Sequence, residues 1–568
     1  MSAPVDNWPA LSFLEALRPG PDEHIELALL ASYSADLASI SATLLALAGK
    51  DSDAGRGSPS DLADAVERLR GKMRIVIQRG RLAKMRRTPR IAAVLDQFVR
   101  EVDFDEAMHS WHPKAALVRT RNNNHEVGWR LWIGSRNLTE CVNRDMGLLL
   151  VSGRDGAKPI SGSGDLARAL AERAALNGIR PASLASAVSK IAWRAPPGVT
   201  VERIRWSTGA LPIPVPPANA DEVVVVSPFI DKRFLASQTP KEKKPSRRVL
   251  LTTMREIERL GPSLSAFDEL LALDAPDYPV GDPEPEAPQS HGTAEPTAAD
   301  DEEEEIGLGL HAKLLFVRVG RDRTLWVGSA NATDRAWSGR NVEVMAELRI
   351  TEAVEKGLKA LTNSARLVSA PEKEYEPDAA VLEEEALERA RAQVAARWAA
   401  TLSFDGDEAR LQHISDIHPD GPHPEEVDFV LEAGSLQGQL TVWPRDSTTL
   451  QLGAMPLSER SEFVRLRVSR GEKGLSWLQR APVDPPFGEE RDRAAFVRLL
   501  GARGFLLWLA GLLADDGRRG RLDDRKAKRA STPEPENRTR SWIAHDGRDT
   551  GGLVARPAKV SRDRAKGL

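Results

Sequence analysis

Buried strands and helical segments alternate along residues 26–350 of this chain. An apolar run at Glu26–Ser34 precedes a helix-like segment rich in Ala and Leu, and Asp221–Asp231 contains four consecutive valines. Such a valine run is typical of a strand that is buried on both faces. After each of these strands, two apolar runs are spaced to form a hairpin: His112–Arg119 with Gly128–Gly134, and Leu310–Val319 with Arg323–Gly328. The alternation predicts an α/β sandwich.

The pattern also predicts three further helices. Arg90–Glu101 and Ile257–Leu273 are expected to be helices of the first and second part of the sandwich. Ala495–Ala514 is apolar apart from Arg498 and Arg503. Those two charges argue against a membrane span, so we expect this segment to be a buried helix.

The character of the sequence changes after the sandwich. Asp378–Leu402 is rich in Ala, Glu and Arg and therefore predicts a helix. Short alternating runs separated by turn residues follow, which is typical of a small β-sandwich or barrel. We therefore expect a first half at 1–195, a second half at 196–372, a connecting helix at 373–402, an all-β accessory domain at 403–486, a helix at 487–516 and a flexible basic tail at 517–568.

Two sets of polar residues recur in the same order at a nearly constant offset. The sets are His112, Lys114, Ser135 and Asn137 in the first hairpin, and His311, Lys313, Ser329 and Asn331 in the second. The two histidines are 199 residues apart and the two asparagines 194 apart, while Ser32 and Ser227, at the ends of the buried strands, are 195 apart. The chain is therefore predicted to contain an internal duplication whose halves are related by a pseudo-twofold axis.

These side chains suit chemistry on a phosphate group. Positions i and i+2 of a strand share a face, so the His and Lys of each motif point the same way. Two facing halves would bring together two imidazoles, two ammonium groups and two amides, with no carboxylate trio for a metal ion. Lys and Asn can bind phosphate oxygens while one His attacks phosphorus and the other protonates the leaving oxygen. Asp145 and Glu343 are the candidate carboxylates for fixing the histidine tautomers.

The duplicated HxK and GSxN motifs resemble those of the phospholipase D superfamily. This resemblance covers roughly residues 26–350 and implies two α/β/α sandwich halves in one chain, with a covalent phosphohistidine mechanism that needs no metal or other cofactor. The Asp that the superfamily has five residues after the Lys is missing, because Arg119 and Arg318 stand there. The remaining pattern is similar to the tyrosyl-DNA phosphodiesterase branch, which implies His112 as the nucleophile and His311 as the acid.

Charge is distributed unevenly along the chain. The net charge of −4 excludes a uniformly basic protein, but residues 275–305 contain 11 acidic residues, six prolines and no Lys or Arg. That composition predicts a disordered acidic insert. The tail at 517–568 has 15 Lys and Arg against 7 Asp and Glu. The single cysteine, Cys141, excludes a disulfide framework and a Cys-rich metal site and fits the cytoplasm, as does the absence of a secretory signal pattern.

Two basic segments lie near predicted strand ends, where the sites of α/β folds tend to be. We expect contacts with the phosphate backbone of nucleic acid from Arg79, Arg81, Lys84, Arg86 and Arg87 in the first segment, and from Lys243, Lys244 and Arg247 in the second. The alternative is that both are solvated loops. The acidic insert is either an inert linker or a mobile lid that competes with nucleic acid.

Together these features predict a metal-independent phosphodiesterase that acts on nucleic acid, with DNA favoured over RNA and the choice left open, as a nuclease or a DNA-end-processing enzyme. The alternatives are a phospholipase or phosphatidyl transferase, and a catalytically silent nucleic-acid-binding subunit. An aromatic content of 5% and basic loops argue against a lipid substrate. The resemblance further implies a bacterial antiphage or repair system with a helicase or another defence protein as partner, and a monomer or homodimer without membrane contact.

Overall fold

The computed structural model describes most of the chain. Its described residues are Trp8, 12–51, 57–84, 91–141, 143–153, 156–207, 211–238, 247–275, 309–373, 375–414, 421–522 and 553–554, with side chains described as far as residue 510. Residues 276–305 of the predicted acidic insert lie outside this set, as does the predicted tail from residue 523 onward apart from residues 553–554.

The first part of the chain forms short helices around one mixed sheet. Polar N-cap side chains begin three of its helices: Ser12 accepts from the backbone N–H of Glu15, Asp36 from that of Ser39, and Ser58 from that of Asp61. The elements are α1 (Phe13–Leu17), β1 (Glu23–Ala31), β2 (Ala35–Asp36), α2 (Leu37–Leu47), α3 (Pro59–Leu69), β3 (Met73–Gln78), β4 (Leu82–Ala83), β5 (Val99–Val102), β6 (Ser110–Trp111), β7 (Ala115–Asn122), β8 (Val127–Gly134), β9 (Asn143–Arg144), β10 (Gly147–Ser152), α4 (Ser163–Ala174), α5 (Pro181–Val188) and β11 (Trp193–Arg194).

The second part follows the same plan. Thr253 caps one of its helices by accepting from the backbone N–H of Glu256. The elements are β12 (Val199–Trp206), β13 (Glu222–Val226), α6 (Lys232–Gln238), β14 (Arg247–Thr253), α7 (Met254–Leu260), β15 (Glu269–Leu273), β16 (Gly309–Leu310), β17 (Leu314–Val319), β18 (Asp322–Gly328), α8 (Asp334–Trp337), β19 (Asn341–Val342), β20 (Val344–Ile350), α9 (Glu352–Asn363) and β21 (Arg366–Val368).

Two sheets of matching strand order are the centre of the molecule. The first runs β11-β10-β8-β7-β1-β3-β5 and the second β12-β20-β18-β17-β13-β14-β15-β21. In each sheet three successive strands are parallel, β1-β3-β5 and β13-β14-β15, and the hairpin pairs antiparallel with the first of them. The predicted α/β class is confirmed, whereas the pseudo-twofold axis and the domain boundaries stay predictions.

The central strands explain how the two sheets share a core. Leu27 and Leu29 of β1 join one hydrophobic cluster with Val224 and Val226 of β13, and that cluster contains residues of both sheets. The alternate residues of β1 and of β13 pack instead into two separate outer clusters. Because successive strand residues point to opposite faces, both strands are buried on both sides, as their apolar runs predict.

The helices predicted at Arg90–Glu101 and Ile257–Leu273 are helical only in part, and each segment ends in a strand that the prediction lacked. In the described residues of the first segment, a 3-10 helix at Ala92–Phe98 is followed by β5. In the second, α7 ends at Leu260, its C-cap Gly261 has a φ of +42°, and β15 comes later. Periodicity does not separate a short apolar run in a strand from one in a helix. Pairing with the neighbouring parallel strand determines both outcomes.

The last part of the chain is β-rich and joins the first sheet region directly. Its six-stranded sheet has the order β2-β4-β28-β27-β24-β25, so it includes two short strands from the start of the chain, and its other sheet is β22-β23-β26. The elements are α10 (Ala379–Arg397), β22 (Ala400–Asp405), β23 (Glu408–His413), β24 (Val430–Ser435), β25 (Thr441–Val442), β26 (Thr449–Ala454), β27 (Phe463–Arg470), β28 (Lys473–Arg480), α11 (Glu489–Leu522) and β29 (Leu553–Val554).

The expectation of a buried helix at Ala495–Ala514 is wrong in its second half. Ala495 and Phe496 of α11 are buried, but Leu506 and Leu507 are 64% and 66% exposed. The helix is interrupted by non-helical backbone at Gly501. None of the helices in the described part has both the length and the apolarity needed to cross a membrane.

Candidate functional site

Short pairings between the two halves bring the HxK motifs together. β6, which directly precedes His112, pairs in parallel with β19, and β16, which directly precedes His311, pairs in parallel with β9. The backbone N–H of His112 donates to the carbonyl of Val342 at 3.1 Å, and that of His311 donates to the carbonyl of Arg144 at 3.1 Å. Each HxK motif therefore lies beside the residue preceding the candidate carboxylate of the opposite half.

Each histidine is paired with a carboxylate from the other half. His112 Nδ1 lies 2.7 Å from Glu343 Oε1, and His311 Nδ1 lies 2.6 Å from Asp145 Oδ1. All four side chains are buried. A carboxylate that accepts from Nδ1–H fixes the tautomer and places the lone pair of a neutral imidazole on Nε2. The four residues are those predicted from the sequence, but the sequence did not predict that each histidine pairs with the carboxylate of the opposite half.

The Gly-Ser turns hold the two carboxylates. Ser135 Oγ donates to Asp145 Oδ1 at 2.8 Å, and Ser329 Oγ donates to Glu343 Oε2. A Cβ at Gly134 would lie 2.4 Å from the carbonyl oxygen of Met146, and one at Gly328 would lie 2.1 Å from that of Val344. The glycines are therefore needed because backbone atoms approach closely, and the serines orient the acids.

The lysines are fully buried against their histidines. Lys114 Nζ is 3.0 Å from His112 Nε2, and it also donates to the His112 carbonyl at 3.2 Å. Lys313 Nζ donates to the His311 carbonyl at 2.9 Å. An ammonium group has only donors, so the contact with Lys114 makes His112 Nε2 an acceptor. This arrangement fits an imidazole with its proton on Nδ1, toward Glu343, and its lone pair on Nε2.

Ser32 and Ser227 position the loops that carry the asparagines, a role that the sequence analysis missed. Ser32 Oγ accepts from the N–H of Leu138, and Ser227 Oγ accepts from that of Ala332, both at 3.0 Å. Ser32 Oγ also lies 3.5 Å from Asn137 Oδ1. The sequence did contain a signal for this role, because Ser32 and Ser227 are 195 residues apart, close to the spacing of the motif residues. Asn137 and Asn331 themselves are 5% and 4% exposed.

The two carboxylates differ in their surroundings. Burial opposes the ionisation of Asp145, but His311, Arg136 and Lys313 together hold its pKa well below the ordinary value. Arg136 Nη1 is 3.2 Å from Asp145 Oδ2. The residue at the equivalent place in the second half is Ala330, and Glu343 Oε1 accepts instead from the Asn341 amide at 3.2 Å. Asp145 therefore pairs with an arginine of its own GSxN motif, whereas the residue at that place in the motif of Glu343, Ala330, is uncharged.

The arginines that stand five residues after the two motif lysines belong to matching ion pairs. Arg119 Nε is 2.9 Å from Glu26 Oε2 on β1, and Arg318 Nη2 is 3.3 Å from Glu222 Oε2 on β13. The two glutamates are 196 residues apart, close to the offset of the motifs. Each of these arginines thus has an acidic partner on the adjacent strand of its own half.

Three of the predicted binding residues that the structure describes, Arg79, Arg81 and Arg247, are held in ion pairs. Arg81 is 1% exposed and pairs with Glu106, so its predicted contact with phosphate is wrong for this structure. Arg79 Nη1 is held by Asp103 at 2.5 Å.

Arg247 pairs with Glu222 and Glu269, which together with its side-chain hydrogen bonds raise its pKa above the ordinary value. Lys84 is exposed, and its contact with phosphate stays a prediction. Arg86, Arg87, Lys243 and Lys244 lie outside the described residues. Within the described part, no group of three or more His, Cys, Asp and Glu side chains is arranged to hold a metal ion.

Comparison with known proteins gives distant structural similarity. No protein-family model and no curated protein sequence matches the chain. Polyphosphate kinase from Porphyromonas gingivalis is similar at 12% identity and a TM-score of 0.34, over 66% of this chain and 49% of that one. Phosphatidylserine synthase from Haemophilus influenzae Rd KW20 is similar at 10% identity and a TM-score of 0.36, over 67% and 92%. Yeast tyrosyl-DNA phosphodiesterase is similar at 12% identity and a TM-score of 0.32, over 62% and 88%.

These three proteins are members of the phospholipase D superfamily, but the similarity is weak in both identity and TM-score. The chain spans about half the length of the polyphosphate kinase. Any assignment of a function therefore depends on the geometry of the site itself.

Proposed function

We propose that this chain is a phosphodiesterase that cleaves nucleic acid through a phosphohistidine intermediate, without a metal ion. The observation that carries the proposal is the pair of buried histidines, each bound through Nδ1 to a carboxylate of the opposite half. Two such imidazoles beside two buried ammonium groups supply a nucleophile, a general acid and cations for the phosphate oxygens.

In the first step His112 Nε2 attacks phosphorus. The P–N bond forms as the P–O bond to the leaving oxygen breaks, and that oxygen takes the proton from His311 Nε2. Glu343 stabilises the positive charge that develops on the His112 imidazole, while Lys114 and Lys313 offset the charge on the phosphate oxygens.

In the second step His311, now neutral, removes a proton from water as the water oxygen attacks phosphorus. The P–N bond breaks and returns the electron pair to His112, so that the enzyme regains its starting state. Asp145 supports this exchange because its carboxylate remains ionised while His311 changes protonation state.

Nucleic acid is the proposed substrate, and DNA is favoured over RNA. Support comes from the basic sequence at 517–568, with 15 Lys and Arg against 7 Asp and Glu, and from exposed Lys84. Cationic segments contact the phosphate backbone independently of base sequence. As part of the same proposal, the enzyme works in a bacterial antiphage or repair system beside a helicase or another defence protein.

A substrate panel tests the proposed function. The purified full chain is incubated with plasmid DNA, single-stranded DNA, single-stranded RNA and phosphatidylcholine vesicles, each with and without excess EDTA. The proposal predicts cleavage of nucleic acid, unchanged by EDTA and lost in His112→Ala. Cleavage of the lipid alone would establish a lipid enzyme, binding without cleavage a silent subunit, and loss of activity in EDTA with recovery in magnesium would refute the mechanism.

A further inference from the structure

Tyr33 lies against the catalytic histidine of the first half. Its side chain is fully buried, and its ring centroid is 4.9 Å from the centroid of the His112 ring. Lys114 Nζ lies over the same ring, 5.5 Å from its centroid. The ring therefore contacts both members of the first HxK motif and limits where each can move.

The two halves differ at this position. Ser32 corresponds to Ser227, so Tyr33 corresponds to Pro228. Proline offers neither an aromatic face for an ammonium group nor a hydroxyl. The duplication thus conserves the serine that orients the asparagine loop and changes its neighbour, which makes Tyr33 a feature of the first half alone.

The phenol of Tyr33 is anchored in an internal charge cluster formed by Arg81, Glu106, Glu388 and Arg391. Its Oη–H donates to Glu106 Oε1 at 3.1 Å, and Arg81 Nε is 2.8 Å from the same oxygen. Burial raises the pKa of Glu106, but Arg391 and Arg81 outweigh burial and lower it to about 2. The carboxylate that holds the phenol is therefore ionised throughout the neutral range.

The internal charge cluster ties the phenol to a rigid support. The side chains of Arg81 and Arg391 are fully buried, and Arg391 pairs with Glu106 and Glu388. Arg391 Nη1 also donates to the carbonyl of Gly80 at 3.1 Å, which joins α10 to the loop before β4. A ring held at its hydroxyl end by paired charges has little freedom to rotate away from His112.

We propose that Tyr33 is a positioning residue that holds His112 and Lys114 in the geometry for attack on phosphorus, with the internal charge cluster as its anchor. This inference rests on the proposed function and adds an asymmetry to it. Adduct formation requires that Tyr33 hold His112 for attack, whereas in the adduct the P–N bond itself fixes His112, so hydrolysis depends mainly on His311 and water.

The kinetic test compares Tyr33→Leu and Tyr33→Phe with Phe98→Leu, a buried aromatic of the same half in the outer cluster. Formation and hydrolysis of the covalent adduct are measured separately with labelled single-stranded DNA, quenched in alkaline denaturant. Tyr33→Leu should slow adduct formation about 100-fold, as expected for a displaced reacting group. Tyr33→Phe, which keeps the ring and loses the anchor, should slow formation about tenfold. The rate of adduct hydrolysis in the two Tyr33 variants should change by less than about threefold. The rates of formation and hydrolysis in Phe98→Leu should also change by less than about threefold.

Adduct formation at the wild-type rate in Tyr33→Leu would overturn the inference. Equal losses in both steps, or equal losses in Tyr33→Leu and Phe98→Leu, would also overturn it, because they would indicate general destabilisation.

A second measurement does not depend on turnover. The imidazole carbons of the ten histidines are labelled, and the signals of His112 and His311 are assigned with the two alanine variants. Tyr33→Leu should shift the chemical shift and titration of His112 and leave those of His311 unchanged, while Phe98→Leu should shift neither. An unchanged His112 signal in Tyr33→Leu would refute the positioning role. Absence of any adduct in His311→Ala, with full cleavage activity in both alanine variants, would refute the proposed function instead, and the histidine signals would still decide on Tyr33.

Discussion

At the residue scale, the site depends on pairs in which a histidine of one half meets a carboxylate of the other. Asp145 and Glu343 are both buried, and each also accepts from the serine of its own GSxN motif. A buried acid with two fixed donors has one orientation, so it determines the tautomer of its histidine. The amide isosteres of these acids are therefore informative variants.

Asp145→Asn and Glu343→Gln should each lower the rate of phosphodiester cleavage by about 100-fold or more, because an amide no longer stabilises the imidazolium or fixes its tautomer. The measurement is the single-turnover rate on labelled single-stranded DNA. Arg136→Gln serves as a control because it removes the cation beside Asp145 and leaves the carboxylate in place. Near-wild-type rates in both amide variants would contradict the paired-histidine mechanism.

A second prediction at this scale concerns Glu101 and pH. Burial raises the pKa of Glu101 to about 7, with Arg79 and Arg480 opposing the shift. A carboxyl with a raised pKa holds its proton in the folded state over a range where the unfolded chain has released it. Stability therefore falls as pH rises from about 4.5 to about 7, and the loss is complete above that range.

Glu101→Gln should remove this loss of folding stability at higher pH. In urea unfolding at about pH 8, the variant should be more stable than the wild type by roughly 1–3 kcal/mol, and near pH 4 the two should be equal. Glu202→Gln, at an exposed glutamate, is the matched control and should show no such dependence. A constant difference between Glu101→Gln and wild type across this pH range would contradict the assignment.

At the element scale, the Gly-Ser turns at the ends of β8 and β18 combine close backbone packing with the orientation of the two carboxylates of the site. Each turn places its glycine against a carbonyl of the following segment and its serine against the carboxylate. A methyl group at either glycine would overlap backbone atoms that cannot rotate away.

Gly134→Ala and Gly328→Ala should each lower the free energy of unfolding by about 1–3 kcal/mol, since the turn has to open to admit the methyl group. Gly153→Ala is the control, because a Cβ there meets its nearest atom at 3.5 Å, an ordinary contact. Urea denaturation of the three variants measures the difference. Equal stability of Gly134→Ala and Gly153→Ala would show that the turn is not constrained as described.

The strands and helices also show which parts of the structure could be predicted from the sequence alone. Period-two and continuous apolar runs identified β1, β13 and both hairpins, and the repeated motifs identified the His, Lys, Ser and Asn residues of the site. The third parallel strand of each half, β5 and β15, was missed because a short apolar run fits a strand and a helix equally well, and only its pairing with β3 or β14 decides between them. The crossing of the histidine–carboxylate pairs was missed for a different reason, since it depends on contacts between the two halves, in which β6 and β9 meet β19 and β16.

At the scale of the whole molecule, the C-terminal part is built into the first sheet region. β28 pairs with β4, and Phe463, Leu478 and Phe496 belong to the outer cluster of the first half. Arg391 of α10 supplies one of the two cations of buried Glu106. A buried charge that loses a partner is strongly destabilising, so the first part of the chain depends on the last.

Truncation after residue 372 should therefore prevent stable folding, whereas a chain ending at residue 522 retains all the described core residues and should unfold cooperatively. Soluble yield and a urea unfolding curve distinguish the two. A soluble 1–372 fragment with a cooperative transition like that of the longer chain would contradict the dependence.

The most direct test of the central claim is a covalent trap with a labelled phosphodiester substrate, quenched and separated under alkaline denaturing conditions. In His311→Ala, adduct hydrolysis should be slowed, so that labelled phosphate accumulates on the protein, and His112→Ala should trap none. A reversed pattern would exchange the roles of the two histidines and keep the mechanism. Full activity in both variants, with no adduct in either, would contradict the account.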